Sequence, residues 1–495
     1  MAAGKTVSGK EALHSPAETA DKSDMLEVRP KLAPRPASAY FPSPGTPGEG
    51  QGGGLCGDEG LPKVEPPPQP SPGVPEEGEI VARILPRRRI LFTTGCILAV
   101  CVIALIIAFV FAKDGRTPFG ATLGGDFPCF YVAAGILSNP GGSHLYDTAL
   151  QGWRLHHLIL TEPGTALPYA YPPVVAAIFR PLASLSYPAA AAVWTLVSGM
   201  LYVAGLAMLF ATCQSIPRRD RWTAVLLSLA FEPFIVECLH GGQISTIGFA
   251  AACAAIALDR RGRPFLCGLA LGLMAYKPTL LAILLPMFLF SGRWKILLGT
   301  AVTVLVGAVA SVLGAGSDAC LAFLRLMLTY LHAAAHGDGF AIWKFVDLSA
   351  FLKLLTHRPD APAWPICLAG AVTIWALLAR RNIPNSSRWA IGLAATLCFN
   401  VYVGVYDSIL IVPSLWLTAD LLYQNEIPQS GEFHWLLASM FIVPFFSPFL
   451  AKTVGLQLFT LILLWAIWQQ VRLISRRVEH IPRSAHHLNT QPRSL

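Results

Sequence analysis

Charge is scarce in this sequence. Asp, Glu, Lys and Arg make up 13% of its 495 residues, hydrophobic residues make up 54%, and mean hydropathy is +0.53. A soluble chain of this length needs far more charge to cover its surface. Period-two alternation is missing from the apolar stretches, which excludes a β-barrel. The eleven cysteines contain no Cys-x-x-Cys pair and no metal-ligand spacing, and most of them lie in apolar runs, where they act as small hydrophobes. No apolar h-region lies near Met1, so the N-terminus reads as a tail and not as a cleavable signal. Soluble enzyme, collagenous fibre, disulfide-stapled secreted domain and nucleic-acid module are all excluded.

What the sequence has in quantity is continuous apolar stretches of about twenty residues, each enough to cross a bilayer core about 30 Å thick. The fold class is therefore an all-α polytopic membrane protein. Residues 1–82 are rich in Pro, Gly, Ser and Glu and cannot bury enough apolar surface to offset their conformational entropy, so a disordered cytoplasmic tail is expected there. Residues 83–475 form the transmembrane domain, and 476–495 a cytoplasmic C-terminal tail. Basic clusters at Arg87–Arg89, Arg218–Arg221, Arg260–Arg263, Arg293–Lys295, Arg380–Arg381 and Arg476–Arg477 set the orientation by the positive-inside rule.

Placing every cluster inside gives about twelve spans: 90–112, 188–213, 222–239, 244–258, 264–277, 279–292, 296–314, 362–379, 388–403, 408–424, 434–450 and 453–472. Both termini are then cytoplasmic. Pro278 interrupts a region short for two crossings, and 171–185 is left as a partial or re-entrant span. Two long segments face outside, about 113–187 and 315–361, and a loop as long as the first is where function is usually carried.

The first outer segment opens with Gly124-Gly125-Asp126-Phe127-Pro128. A carboxylate at the membrane edge before a helix start is either a helix cap or a catalytic acid, and local sequence leaves both open. Tyr171-Pro172-Pro173 restricts the backbone and starts an apolar helix. Arg154, His156 and His157 add candidate phosphate contacts in the same segment. Lys277 in Tyr276-Lys277-Pro278 is an ionisable residue among apolar helices, a functional candidate by default unless it snorkels to the interface. His240-Gly241-Gly242-Gln243 sets a hydrogen-bonding side chain at a helix start, and Tyr406-Asp407 begins another apolar run. The path above brings Asp126, Tyr171, Gln243, Lys277 and Tyr406-Asp407 to the outer ends of spans.

The ordered set GGDFPCFYVAAGIL, LYD, AYPPVVAAIFRPLASLSYPAAAAVW, FEPFIVECLHGGQIS, CGLALGLMAYKPTLL and VYDSILIVPSL resembles glycosyltransferase family 87 over about 90–425. The resemblance implies a GT-C-type glycosyltransferase fold related to polyprenyl-phosphate-mannose-dependent mannosyltransferases. It implies Asp126 as the catalytic acid/base residue, and donor or acceptor contacts from Tyr131, Tyr171, Gln243, Lys277, Tyr406 and Asp407. Asn400-Val401-Tyr402 departs from a Ser-Pro-His-like segment of many members, so no histidine role carries over there.

The expected function is transfer of a hexose, mannose by that resemblance, from a polyprenyl-phosphate donor to a glycolipid or glycan hydroxyl on the outer face of the plasma membrane. An inverting displacement needs one carboxylate as base and positive charge near the leaving phosphate, for which Lys277 is the first candidate. The chemistry requires no cofactor, although a divalent metal is compatible with it. Partners are the lipid-linked sugar, the acceptor and the bilayer, with no nucleic acid. The rival reading is a transporter or flippase of a lipid-linked saccharide.

Overall fold

The apolar runs fold as helices, because backbone polar groups in lipid must be satisfied within their own segment. A computed structural model describes residues 87–138, 144–159, 167–336, 341–380, 382–425 and 431–479. The expected tail over 1–82 lies outside them, as do residues 480–495. The C-terminal helix itself runs on through Arg476-Arg477 to Glu479. Among the described residues there is no strand, only isolated bridges such as Phe345 with Gly404.

Five helices are long and apolar enough to cross a membrane: Arg87–Val110, Tyr187–Thr212, Trp294–Ala315, Val405–Gln424 and Leu458–Ser475. Two bent pairs, Arg218–Leu229 with Pro233–His240 and Gly431–Phe445 with Ser447–Val454, raise the number to seven if each is one span. The expectation of about twelve spans meets shorter helices elsewhere. Pro264–Tyr276, Pro278–Phe290 and Trp364–Leu378 are apolar but have 10–17 residues, and Ser245–Arg260 has 16. The described residues of the two segments expected outside also form helices, with Phe127–Ser138, Thr148–Ile159 and Pro173–Ala183 in the first and Ser317–His336 and Leu348–Thr356 in the second.

Arg87–Val110 buries only Thr94 and Ala108, leaving Phe92, Val100, Ile103 and Ile106 exposed. A helix apolar on all sides with so little burial is at home in lipid and not in water. Inside the bundle, helices are joined by small polar side chains. Thr300 and Thr303 of Trp294–Ala315 donate across to the Gly268 and Leu269 carbonyls at 3.1 and 2.9 Å, the kind of interhelical contact that lipid tails cannot replace. Tyr202 stacks between Phe234 and Phe249 at 3.7 and 4.3 Å.

The basic clusters collect at one end of the bundle. Arg87 donates to Thr223 and to the Arg219 carbonyl, Asp220 accepts from Tyr423, and Arg260 pairs with Asp420 and reaches Ser386. Arg293 pairs with Asp259, which also accepts from Trp389. Three helices run from this end to the opposite one. Tyr187–Thr212 carries the Thr212 carbonyl, an acceptor for Arg260, at one end and Tyr187, bonded to the Leu123 carbonyl, at the other. Ser245–Arg260 ends on Arg260 and begins with Ser245, which donates to Asp407. Val405–Gln424 places Asp420 among the arginines and Asp407 with Ser245. The end remote from the arginines is thus where Asp126, Gln243, Lys277 and Asp407 meet.

Candidate active site

Two glycine turns build the first half of the site. Leu123–Asp126 and Gly241–Gln243 lie backbone to backbone: the Asp126 N–H donates to the Gly241 carbonyl at 2.8 Å. A Cβ on Gly125 would lie 2.6 Å from Gly241 Cα, and one on Gly242 would lie 2.2 Å from the Gly124 carbonyl oxygen. Both residues also have positive φ, +52° and +64°, which L side chains rarely adopt. One face of Tyr187–Thr212 holds the pair in place through Tyr187 on the Leu123 carbonyl and Trp194 on the Gly242 carbonyl.

The interlock delivers Gln243 to Asp126 across 117 residues of sequence, Nε2 donating to Oδ2 at 2.5 Å. Gln243 is buried, and its Oε1 has no partner among the described residues. The amide therefore fixes the carboxylate with one end and offers a hydrogen-bond acceptor with the other. Burial raises the Asp126 carboxyl above the ordinary carboxylate range, partly offset by the Lys344 ammonium and by the Gln243 hydrogen bond.

A testable consequence attaches to the turns. Gly125→Ala should lower the melting temperature of the purified protein and its transfer rate more than Gly120→Ala does. Gly120 also has positive φ (+81°) but open space around its Cβ position, so the backbone penalty of about 1–2 kcal/mol is common to both. The excess reports the collision with Gly241. Equal effects would mean that the turns are not locked together.

The second half is a buried ion pair. Lys277, 6% exposed, pairs with Asp407, which is fully buried. Asp407 also accepts from Ser245 Oγ at 2.9 Å and from the Gly404 N–H at 3.2 Å. Lys277 can occupy this place because Pro278 forces its backbone out of the helical region (φ −131°, ψ 87°), breaking the run into two half-helices. Asn400 braces the break by donating to the Thr279 carbonyl at 2.5 Å. The ammonium also lies 4.7 Å from the Tyr406 ring and 5.2 Å from the Tyr402 ring.

Tyr402 links the two halves. Its phenol is raised first by burial, then by Tyr330 and by the Asp407 and Asp126 carboxylates, so both acids act on one ring. It has φ +64°, a left-handed conformation that a bulky residue holds only when its surroundings impose it. The following loop is pinned by Asp347, which caps Leu348–Thr356 through Ala350 and also accepts from the Val403 N–H at 3.2 Å. Burial pushes the Asp347 carboxyl up to about 6.

The remaining expected residues are placed less centrally. Tyr171 lies beside Tyr276 with the rings 6.4 Å apart, which brings it to the Asp407 side. Tyr131 is not part of the charge network: its hydroxyl donates to the Leu185 carbonyl at 2.7 Å and its ring packs on Tyr187. Arg154, His156 and His157 ride on Thr148–Ile159, whose buried face is Gln151, Leu155 and Ile159. Among the described residues no group of three or more His, Cys, Asp or Glu is placed to hold a metal ion.

Two groups near Asp126 escaped the sequence reading, Lys344 and Glu237. The Lys344 ammonium acts on both carboxyls, and the Asp126 carboxylate acts on Glu237. Lys344 lies in none of the quoted motifs, whereas Glu237 lies within FEPFIVECLHGGQIS, where the reading turned on Gln243. For Lys344 the one available signal is a lysine beside a tryptophan within 315–361.

The fold and this end of the bundle define a helical membrane protein with a polar, acid-containing centre opposite its arginines. The family model for glycosyltransferase family 87 matches residues 169–413, and that region of the chain belongs to the family. The match includes Tyr171, Gln243, Lys277, Lys344, Tyr406 and Asp407 and begins after Asp126 and Tyr131. Neither a curated protein nor a solved structure matches the chain. The protein is a membrane glycosyltransferase by this membership, acting on a sugar donor and an acceptor.

Proposed function

We propose that the protein moves a hexose, mannose by family resemblance, from a polyprenyl-phosphate donor to a hydroxyl of a glycolipid or glycan. Asp126 is the general base. The supporting observation is the Asp126–Gln243 pair: a carboxylate fixed by an amide whose other end is a buried, unpaired acceptor. An incoming hydroxyl can donate to Asp126 while a second sugar hydroxyl donates to Gln243. The hydroxyl oxygen forms the new bond to the anomeric carbon as the bond to the phosphate oxygen breaks, and the proton passes to Asp126. Inversion follows because one carboxylate and no enzyme nucleophile takes part. Lys277–Asp407, Tyr406 and Tyr171 line the substrate site beside the base.

The arginine-rich end is assigned to the cytoplasm by the positive-inside rule, which puts the catalytic end on the outer face of the plasma membrane. Arg87–Val110 starts at the arginine-rich end. Leu458–Glu479 runs toward it, with Thr460 beside Val346 and Gln470 beside Thr418. Both termini are accordingly cytoplasmic. The broken helix at Lys277 favours the second reading, a carrier of lipid-linked saccharide, since transporters use discontinuous helices at their substrate sites.

The pH profile tests the base. Asp126 must be ionised to accept the proton, and its ionised fraction rises with pH. Because burial raises its carboxyl, the acid limb of the transfer rate should fall at a pH above the ordinary Asp value of about 3.9. The rate should drop tenfold per pH unit below that point. A rate independent of pH down to that ordinary value would exclude Asp126 as the base.

A further inference from the structure

We propose that Lys344 binds the phosphate of the lipid-linked donor and stabilises the charge that it gains on leaving. This rests on the glycosyltransferase reading and assigns a residue to a part of the reaction that the reading leaves open.

The need comes from charge balance. The donor phosphodiester carries one negative charge and Asp126 another. After transfer Asp126 holds the acceptor proton and is neutral, and the released polyprenyl phosphate carries both charges. One unit of negative charge therefore moves from the carboxylate to the leaving oxygen, and a cation placed near that oxygen is worth more in the transition state than before it. Lys277 is poorly suited, because its ammonium is buried and already neutralised by Asp407.

Lys344 meets the requirement. It is exposed, it forms no ion pair among the described residues, and its ammonium acts on both Asp126 and Glu237. Its position is fixed although its side chain is open. It ends the short turn Ile342–Lys344, whose flanking carbonyls on Trp343 and Phe345 both accept from the fully buried Gln457. The Val346 N–H donates to the Val403 carbonyl at 2.9 Å, which seats the turn against the loop carrying Tyr402. Phe345 and Tyr402 rings meet at 5.0 Å, and Lys277 lies on the same Tyr402 ring. The Trp343 indole carries Lys344 at 5.4 Å and Lys452 at 5.5 Å. Lys452 shares that ring but not the electrostatic reach to Asp126, and so serves as a matched control.

The test uses purified full-length protein in phosphatidylcholine vesicles, with a polyprenyl-phosphate sugar as donor. Lys344→Met should lower kcat about 10²-fold, the usual cost of removing one transition-state donor. It should weaken inhibition by added polyprenyl phosphate at least tenfold, with inorganic phosphate as the comparison for a lipid-free anion. Lys344→Arg should recover part of both. The acid limb should move to higher pH in the Met variant, because a cation that lowers the Asp126 carboxyl is gone. Lys452→Met should stay within about twofold of wild type on every readout. Unchanged kcat and product inhibition in Lys344→Met, or equal losses in Lys452→Met, would overturn the assignment while wild-type transfer still stood. A wild-type protein that transfers no sugar would overturn the underlying reading as well.

Discussion

Asp126→Asn should lower sugar transfer by about 10²–10⁴-fold, the range for loss of a positioned general base, with little change in melting temperature. Asparagine matches aspartate in size and in capping ability, and its carbonyl can still accept from Gln243 Nε2. What it cannot do is take a proton from a hydroxyl. The structure sharpens this test beyond what the sequence allowed. A capping aspartate would bond the first backbone N–H groups of Phe127–Ser138. The Cys129 N–H instead donates to the Asp126 backbone carbonyl, and the carboxylate receives Gln243. Donor binding, followed by protection of the protein against thermal unfolding, should survive in the Asn variant. Near-normal transfer would leave Asp126 as a structural residue and remove the base from the mechanism.

Lys277→Met should destabilise the protein by roughly 3–5 kcal/mol, the cost of leaving a buried charge without its partner. A lone snorkelling lysine would give a silent Met variant, but here Asp407 is fully buried and would keep only Ser245 and the Gly404 N–H. Lys277→Met combined with Asp407→Asn should recover most of that stability, because no uncompensated charge remains. The double variant also separates two roles. If the pair lines the substrate site, transfer stays at least tenfold below wild type in a protein that melts normally. Recovery of transfer together with stability would make the pair a structural clamp alone.

These two variants also mark how far the sequence could be read. Gly-Gly before Asp126 and Gly-Gly before Gln243 are legible as turns, and Lys277 is legible as an anomaly between apolar helices. Their partners are not, because nothing local joins Gln243 to Asp126 across 117 residues or Lys277 to Asp407 across 130. The helices that read most clearly, such as 188–213 and 296–314, are those with an uninterrupted apolar run, and they appear as Tyr187–Thr212 and Trp294–Ala315. The 264–292 region reads as strained for two spans. The strain has its cause in the break at Lys277-Pro278, which supplies the buried ammonium. Lys344 was missed for the opposite reason: it lies in a short turn fixed from outside by Gln457 and Val403, and tertiary anchoring of that kind leaves no periodic trace.

Sugar transfer in a sealed bilayer tests the central claim most directly. Purified wild-type protein is reconstituted with a radiolabelled polyprenyl-phosphate hexose and candidate glycolipid and glycan acceptors. Label is then followed in the acceptor and in the intact donor of each leaflet. The account predicts a new alkali-stable glycoside formed in step with release of polyprenyl phosphate. Label that crosses the bilayer still attached to its lipid phosphate, with no glycoside formed, would contradict it and leave a carrier in place of an enzyme.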